Sequence, residues 1–142
     1  GVSGGGATKE MWELDLASSA RPAHIIEVPF KFSEVPEDAE LTEVTVRLKA
    51  GGQASPEGAT TEGAALMVWD DGMWKQVAEN SGSAESTGDM EWSFTDSALL
   101  WRLFIGEART LYLAVVPNAV NGEDTGLVAV DYFEVTVKYR NK

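Results

Sequence analysis

Trp69 and Trp74 flank the dipeptide Asp71-Gly72, and their indoles are the side chains of this sequence best suited to hold a ligand. With Asp71 and Gly72 as the two residues of a tight turn, Asp70 pairs with Met73 and Trp69 faces Trp74. That is a non-hydrogen-bonded pair, the kind in which side chains approach most closely. Met67 and Gln76 continue the same face. Exposed, the four residues form a platform for a sugar ring or for a partner's apolar groups. Buried, the two indoles are simply core. The opposite face sets Leu66 against Val77 and Val68 against Lys75, so it is less uniformly apolar, and the pattern favours burial of the tryptophans.

A second group is acidic. The segment from Asn118 to Gly126 carries Asn121, Glu123 and Asp124, and Asp131 follows in an apolar run. These are the oxygen ligands that calcium prefers, although the spacing is not that of an EF-hand. Acidic loops are expected in a chain with 11 Lys+Arg, 23 Asp+Glu and a formal net charge of −12, so a solvated loop is the expected state and a structural calcium the alternative. Asp131 shares the Phe133 and Val135 face by alternation. An inward carboxylate needs a hydrogen bond or a cation; otherwise a β-bulge near it turns the side chain outward.

The remaining candidates exclude more than they suggest. There is no Cys, which removes disulfides, thiolate metal sites and thiol nucleophiles together. His24 is the single histidine, too little for a zinc site, and is read as a residue at the start of a strand. No G-x-S-x-G elbow is present. The run Ser3-Gly4-Gly5-Gly6-Ala7-Thr8-Lys9 lacks the phosphate-loop spacing. Paired carboxylates are plentiful, but glycoside hydrolysis also needs a cleft. The expectation is a chain without catalytic residues or cofactor. Its negative charge and scattered Lys and Arg exclude nucleic acid, whose phosphates require basic contacts. No stretch reaches the roughly 18 consecutive apolar residues of a membrane span.

The elements that would position these residues read as strands. Apolar residues alternate with polar ones at Trp12, Leu14 and Leu16, at Ile26, Val28, Phe30 and Phe32, at Val44, Val46 and Leu48, and at Met90, Trp92 and Phe94. Pro29 cannot donate a ladder hydrogen bond, which puts its strand at an edge or beside a bulge. Asp71-Gly72 between Ala64–Asp70 and Met73–Glu79 predicts a hairpin with a type I′ turn. Gly51 to Gly63 and Asn80 to Asp89 read as loops. Asp96 to Ile105 predicts one short helix, capped at Asp96 or Ser97 and stopped by Gly106, plugging the end of the fold. Leu111–Val116 and Leu127–Tyr139 are the last strands. Residues 1–10 of the 142 read as a flexible Gly-rich arm or linker, and 11–142 as one domain. The fold class is all-β, a two-sheet sandwich or jelly roll of about eight antiparallel strands.

The hairpin Leu66-Met67-Val68-Trp69-Asp70-Asp71-Gly72-Met73-Trp74-Lys75-Gln76-Val77 and the strands Leu111–Val116 and Val130–Tyr139 resemble those of jelly-roll modules. Such modules occur in phage virion proteins, of the head-decoration and tail kinds, and in bacterial surface proteins. The chain is also distantly similar to galactose-binding-like carbohydrate modules. The first resemblance implies a non-catalytic structural or docking protein of a virion or extracellular assembly, working as a homo-oligomer, trimers included. Gly4, Gly5, Gly6 and Thr8 would then form an assembly arm laid on a neighbour's open sheet edge. The alternative is a calcium-stabilised carbohydrate-binding module of a secreted protein, with Trp69 and Trp74, joined by Trp92 or Trp101, as the glycan platform.

Overall fold

The computed structural model describes residues 6–14, 23–29, 40–54, 61–83, 85–95, 102–105, 109–118 and 126–140. Eight long strands carry the architecture: β1 (Gly6–Leu14), β2 (His24–Pro29), β3 (Glu40–Ala54), β5 (Ala64–Asp70), β6 (Met73–Asn80), β7 (Gly88–Phe94), β9 (Thr110–Pro117) and β10 (Gly126–Arg140). Two-residue strands, β4 (Thr61–Glu62) and β8 (Phe104–Ile105), extend them. Every pairing is antiparallel.

The chain pairs with itself as one long nested hairpin: β1 with β10, β2 with β9, β3 with β7, and β5 with β6. Two further pairings, β10 with β3 and β9 with β5, roll that hairpin into a first sheet ordered β1-β10-β3-β7 and a second ordered β2-β9-β5-β6. This is jelly-roll winding, and the expected fold class holds. Period-two patterning places the core between the sheets. Strand β2 alternates strictly, with His24, Ile26 and Val28 buried and Ile25, Glu27 and Pro29 exposed. Val28, Leu66, Leu111, Leu113 and Val115 of the second sheet meet Val44, Val46, Phe133, Val135 and Val137 of the first, all fully buried. Each such side chain contributes roughly 1.5–3 kcal/mol by leaving water. Pro29 ends an edge strand, as its missing N–H requires.

Four expectations are corrected. Gly51 to Ala54 are not loop but the end of β3. Gly6 to Glu10 are not a free arm; they pair with Arg140 to Thr136, because β10 runs far enough to offer them a ladder. The expected helix does not reach Ile105: Arg102 and Leu103 are helical, but Phe104 and Ile105 pair with Leu111 and Thr110, and 96–101 lie outside the described residues. Leu103 is buried in the core. Leu66 pairs with Ala78 rather than Val77, because Val77 is the extra residue of a bulge in β6. Phe30, Lys31, Phe32 and Leu16 lie outside the described residues.

Candidate functional site

The β5–β6 hairpin forms as its turn chemistry dictates. Asp71 and Gly72 have φ of 53° and 78°, the positive values that a type I′ turn needs at both positions. Asp70 pairs with Met73, Trp69 with Trp74 and Met67 with Gln76. The indoles meet edge to face, with centroids 5.3 Å apart and planes at 71°.

The tryptophans do not face the core. Leu66, Val68 and Asp70 point inward from β5, while Met67 and Trp69 are half-buried on the outer face and Trp74 is 38% exposed. The expectation of a buried pair is overturned, and the reason lies at Asp70. Its carboxylate is buried and takes two bonds from Arg102, Nε to Oδ1 at 2.9 Å and a terminal nitrogen to Oδ2 at 3.0 Å. Lys75 Nζ adds a third at 3.0 Å. The face that looked polar in sequence is the buried one, because its two charged residues neutralise each other and Arg102 completes the set.

Hydrogen bonding from Arg102, then Lys75, holds the Asp70 carboxyl at about 2, below its ordinary 3.8. A carboxyl depressed on folding stabilises the fold fully above its unfolded value, and that contribution disappears as the pH falls toward the folded value. The wild-type protein is therefore expected to lose stability between about pH 4 and pH 2, and Asp70→Asn to flatten that slope. Urea midpoints measured across this range check it; identical slopes would remove Asp70 from the account.

Around the indoles the outer face of the second sheet is apolar. The register aligns Ile25, Ala114, Met67 and Gln76 in one row across all four strands. Glu27 pairs with Tyr112 beside it, and Val116, Ala65 and Glu79 form a third row. Ile25 is 61% exposed. The outer face of the first sheet is ionic instead. Arg47 Nε binds Glu91 at 2.8 Å and its guanidinium reaches Glu134 at 3.4 Å, Lys138 meets Glu43 at 3.4 Å, and Arg140 forks onto Glu40 at 2.9 and 3.2 Å. Glu91 first, and Glu134 with it, push the Arg47 guanidinium above its ordinary value.

The other sequence candidates are placed as follows. Asp131 is the extra residue of a bulge in β10, between Val130 opposite Ala50 and Tyr132 opposite Lys49. Its carboxylate accepts the Thr87 hydroxyl at 2.5 Å, so the bulge account of Asp131 holds. Asn121, Glu123 and Asp124 lie outside the described residues. Among the described residues no three of His, Asp or Glu gather as metal ligands. His24 starts β2 and is buried; its Nε2 donates to the Val128 carbonyl across the sandwich at 3.2 Å. Gly4 and Gly5 lie outside the described residues, and Gly6 and Thr8 pair with Arg140 and Lys138 in β1.

Sequence reasoning missed Asn80 entirely. Its side-chain oxygen accepts from the Ala64 and Gly82 amides, both at 3.2 Å, and its nitrogen donates to the Ala50 and Gly88 carbonyls at 2.9 and 3.0 Å. Only its place before a Gly- and Ser-rich stretch hinted at a turn role. No family model matches the chain, and no curated protein matches it.

Proposed function

We propose that this chain is a non-catalytic docking protein of a virion or extracellular assembly, and that copies of it join through the outer face of the β2-β9-β5-β6 sheet. The observation that supports the reading is the asymmetry of the two outer faces. One is laced with ion pairs and suits water; the other exposes Ile25, Met67, Tyr112, Trp69 and Trp74 within a rim of Glu27, Gln76 and Glu79. Four strands about 4.8 Å apart and three rows about 6.8 Å apart give a face on the order of 400 Å², its polar rim included. A standard interface takes about 800 Å² per partner, with an apolar centre and a polar rim, so the face supplies about half of one such surface. Two indoles at 71° cannot both lie against one flat sugar face, which favours an irregular protein surface as the partner.

Light scattering on the eluting protein at micromolar concentration tests this. The expected wild-type mass is that of an oligomer, trimers included. Met67→Ala with Trp74→Ala is expected to weaken assembly at least roughly tenfold, since exposed aromatic anchors carry most interface energy. The melting temperature should change little, because both side chains lie outside the core cluster. A wild-type monomer, or a variant that assembles as well as wild type, would overturn the reading.

A further inference from the structure

Strand β2 is an edge of the second sheet, and no described strand lies beyond it. The hairpin at the other side of that sheet decides which β2 backbone groups are used. A two-residue turn makes Asp70 and Met73 a hydrogen-bonded pair, so Val68 and Asp70 bond to β6 while Ala65 and Met67 bond to β9. Their partners Val116 and Ala114 face β5, which leaves Leu111, Leu113 and Val115 to bond with Val28, Ile26 and His24. The N–H and C=O of Ile25 and Glu27 therefore point out of the sheet, as does the Pro29 carbonyl. Proline at this position fits the alternation, since β9 has no use for the N–H it lacks.

A row of open donors and acceptors is a template for another strand, and natural sheets blunt their edges. The other long edge strands are blunted. β1 is bulged between Glu10 and Trp12, β6 is bulged at Val77, and β7 carries the exposed carboxylates Asp89 and Glu91. β2 keeps a regular register from His24 to Pro29. It also bears Ile25, 61% exposed and the most exposed large apolar side chain among the described residues.

We infer that β2 pairs with β2 of a second copy, antiparallel across a two-fold axis. This contact is apart from the outer face, and it supplies what that face lacks. Two faces of about 400 Å² run on as one of about 800 Å², the size of a standard interface surface. Alternation and charge set the register. Only Ile25 and Glu27 of β2 present both a donor and an acceptor outward, so pairing must match them with each other or with themselves. An axis at Glu27 sets two carboxylates directly opposite, which is destabilising. An axis at Ile25 leaves Val28 and Pro29 past the start of the opposing β2. An axis at Ile26 places Ile25 against Glu27 of the partner subunit, and each such pair exchanges both of its hydrogen bonds. The two Ile25 side chains become diagonal neighbours on the outer face, about 7–8 Å apart, which covers the exposed isoleucine. Gly6 to Glu10 are not the added strand, because β10 already holds them.

Amide hydrogen exchange on the full chain tests this, with light scattering on the same samples. The Ile25 amide should exchange at least roughly tenfold more slowly in the wild type than in Glu27→Pro. That substitution removes an outward N–H, so the bonds to β9 stay and the amides of His24, Ile26 and Val28 remain protected. Its assembly should have half the wild-type mass. Met67→Ala with Trp74→Ala, which strips the outer face, should fall to a dimer whose Ile25 and Glu27 amides are still protected. Should the proline variant fail to fold, the wild type and the face variant decide alone. Free exchange at Ile25 and Glu27 in the assembled wild type overturns this inference and leaves the face contact standing. So does a face variant that falls to monomer, or a folded Glu27→Pro protein that keeps the full mass. A monomeric wild type overturns both contacts.

Discussion

Gly51→Ala is expected to cost about 3–4 kcal/mol and to lower the melting temperature by roughly 10 °C, though the substitution adds one methyl group. A Cβ built on Gly51 falls 2.0 Å from the Ser83 carbonyl oxygen, 2.5 Å from its carbon and 2.9 Å from the Gly82 carbonyl carbon. All three atoms are backbone, so no rotamer change relieves the clash and the β6–β7 connection must lift. That connection is tied down beside the clash: the Gly52 amide donates to the Gly82 carbonyl at 3.0 Å. Lifting it strains the packing and breaks that bond. Thermal and urea unfolding of the variant measure the effect, and a loss under about 1 kcal/mol would mean that the connection sits farther from β3 than described.

Asn80→Ala should cost about 3 kcal/mol for a related reason. The side chain uses both donors and its acceptor oxygen twice, joining the end of β6 to β3, β5 and β7. Alanine leaves two amides and two carbonyls without these partners in a partly buried place, where each unmet group costs about 1–3 kcal/mol before water or relaxation recovers part of it. Asn80→Asp separates geometry from chemistry. It keeps the shape and the accepting oxygen but sets a second carboxylate oxygen against the Ala50 and Gly88 carbonyls. At neutral pH it should destabilise at least as much as alanine. An Asp variant as stable as wild type would show that the two donated bonds contribute nothing.

Both sites belong to one crossing point. Here the chain leaves the second sheet at Asn80 and enters the first at Gly88. Gly63 also closes onto it, its amide donating to Gly52 at 2.8 Å and its carbonyl accepting from Asn118 at 3.0 Å. The apolar and the ionic outer faces lie on opposite sides of the sandwich, and this crossing is part of what holds the two sheets in register. Substitutions in it are therefore expected to disturb both surfaces, whereas a Trp74 variant affects one.

Much of the fold was legible because short-range chemistry decided it. Alternation put Ile26, Val28, Val44, Val46, Leu113, Val115, Val135 and Val137 in the core, since strands with one wet face must alternate. Asp71-Gly72 set the hairpin register through its positive φ values, and Pro29 marked an edge. The burial of the tryptophans was misread because it depended on partners distant in sequence. Lys75 made one hairpin face look wet, but it joins Arg102, 32 residues beyond Asp70, on the buried Asp70 carboxylate. The glycines at 51 and 52 spelled loop locally, yet they are strand, because what they answer to is the backbone of residues 63, 82 and 83 passing overhead. That Tyr132 and not Asp131 stands opposite Lys49 likewise rests on a single-residue bulge in a strand some eighty positions away. Local sequence specifies conformation and the alternation of faces; which face is covered, and which charge finds a partner, is set by neighbours that only the folded chain brings together.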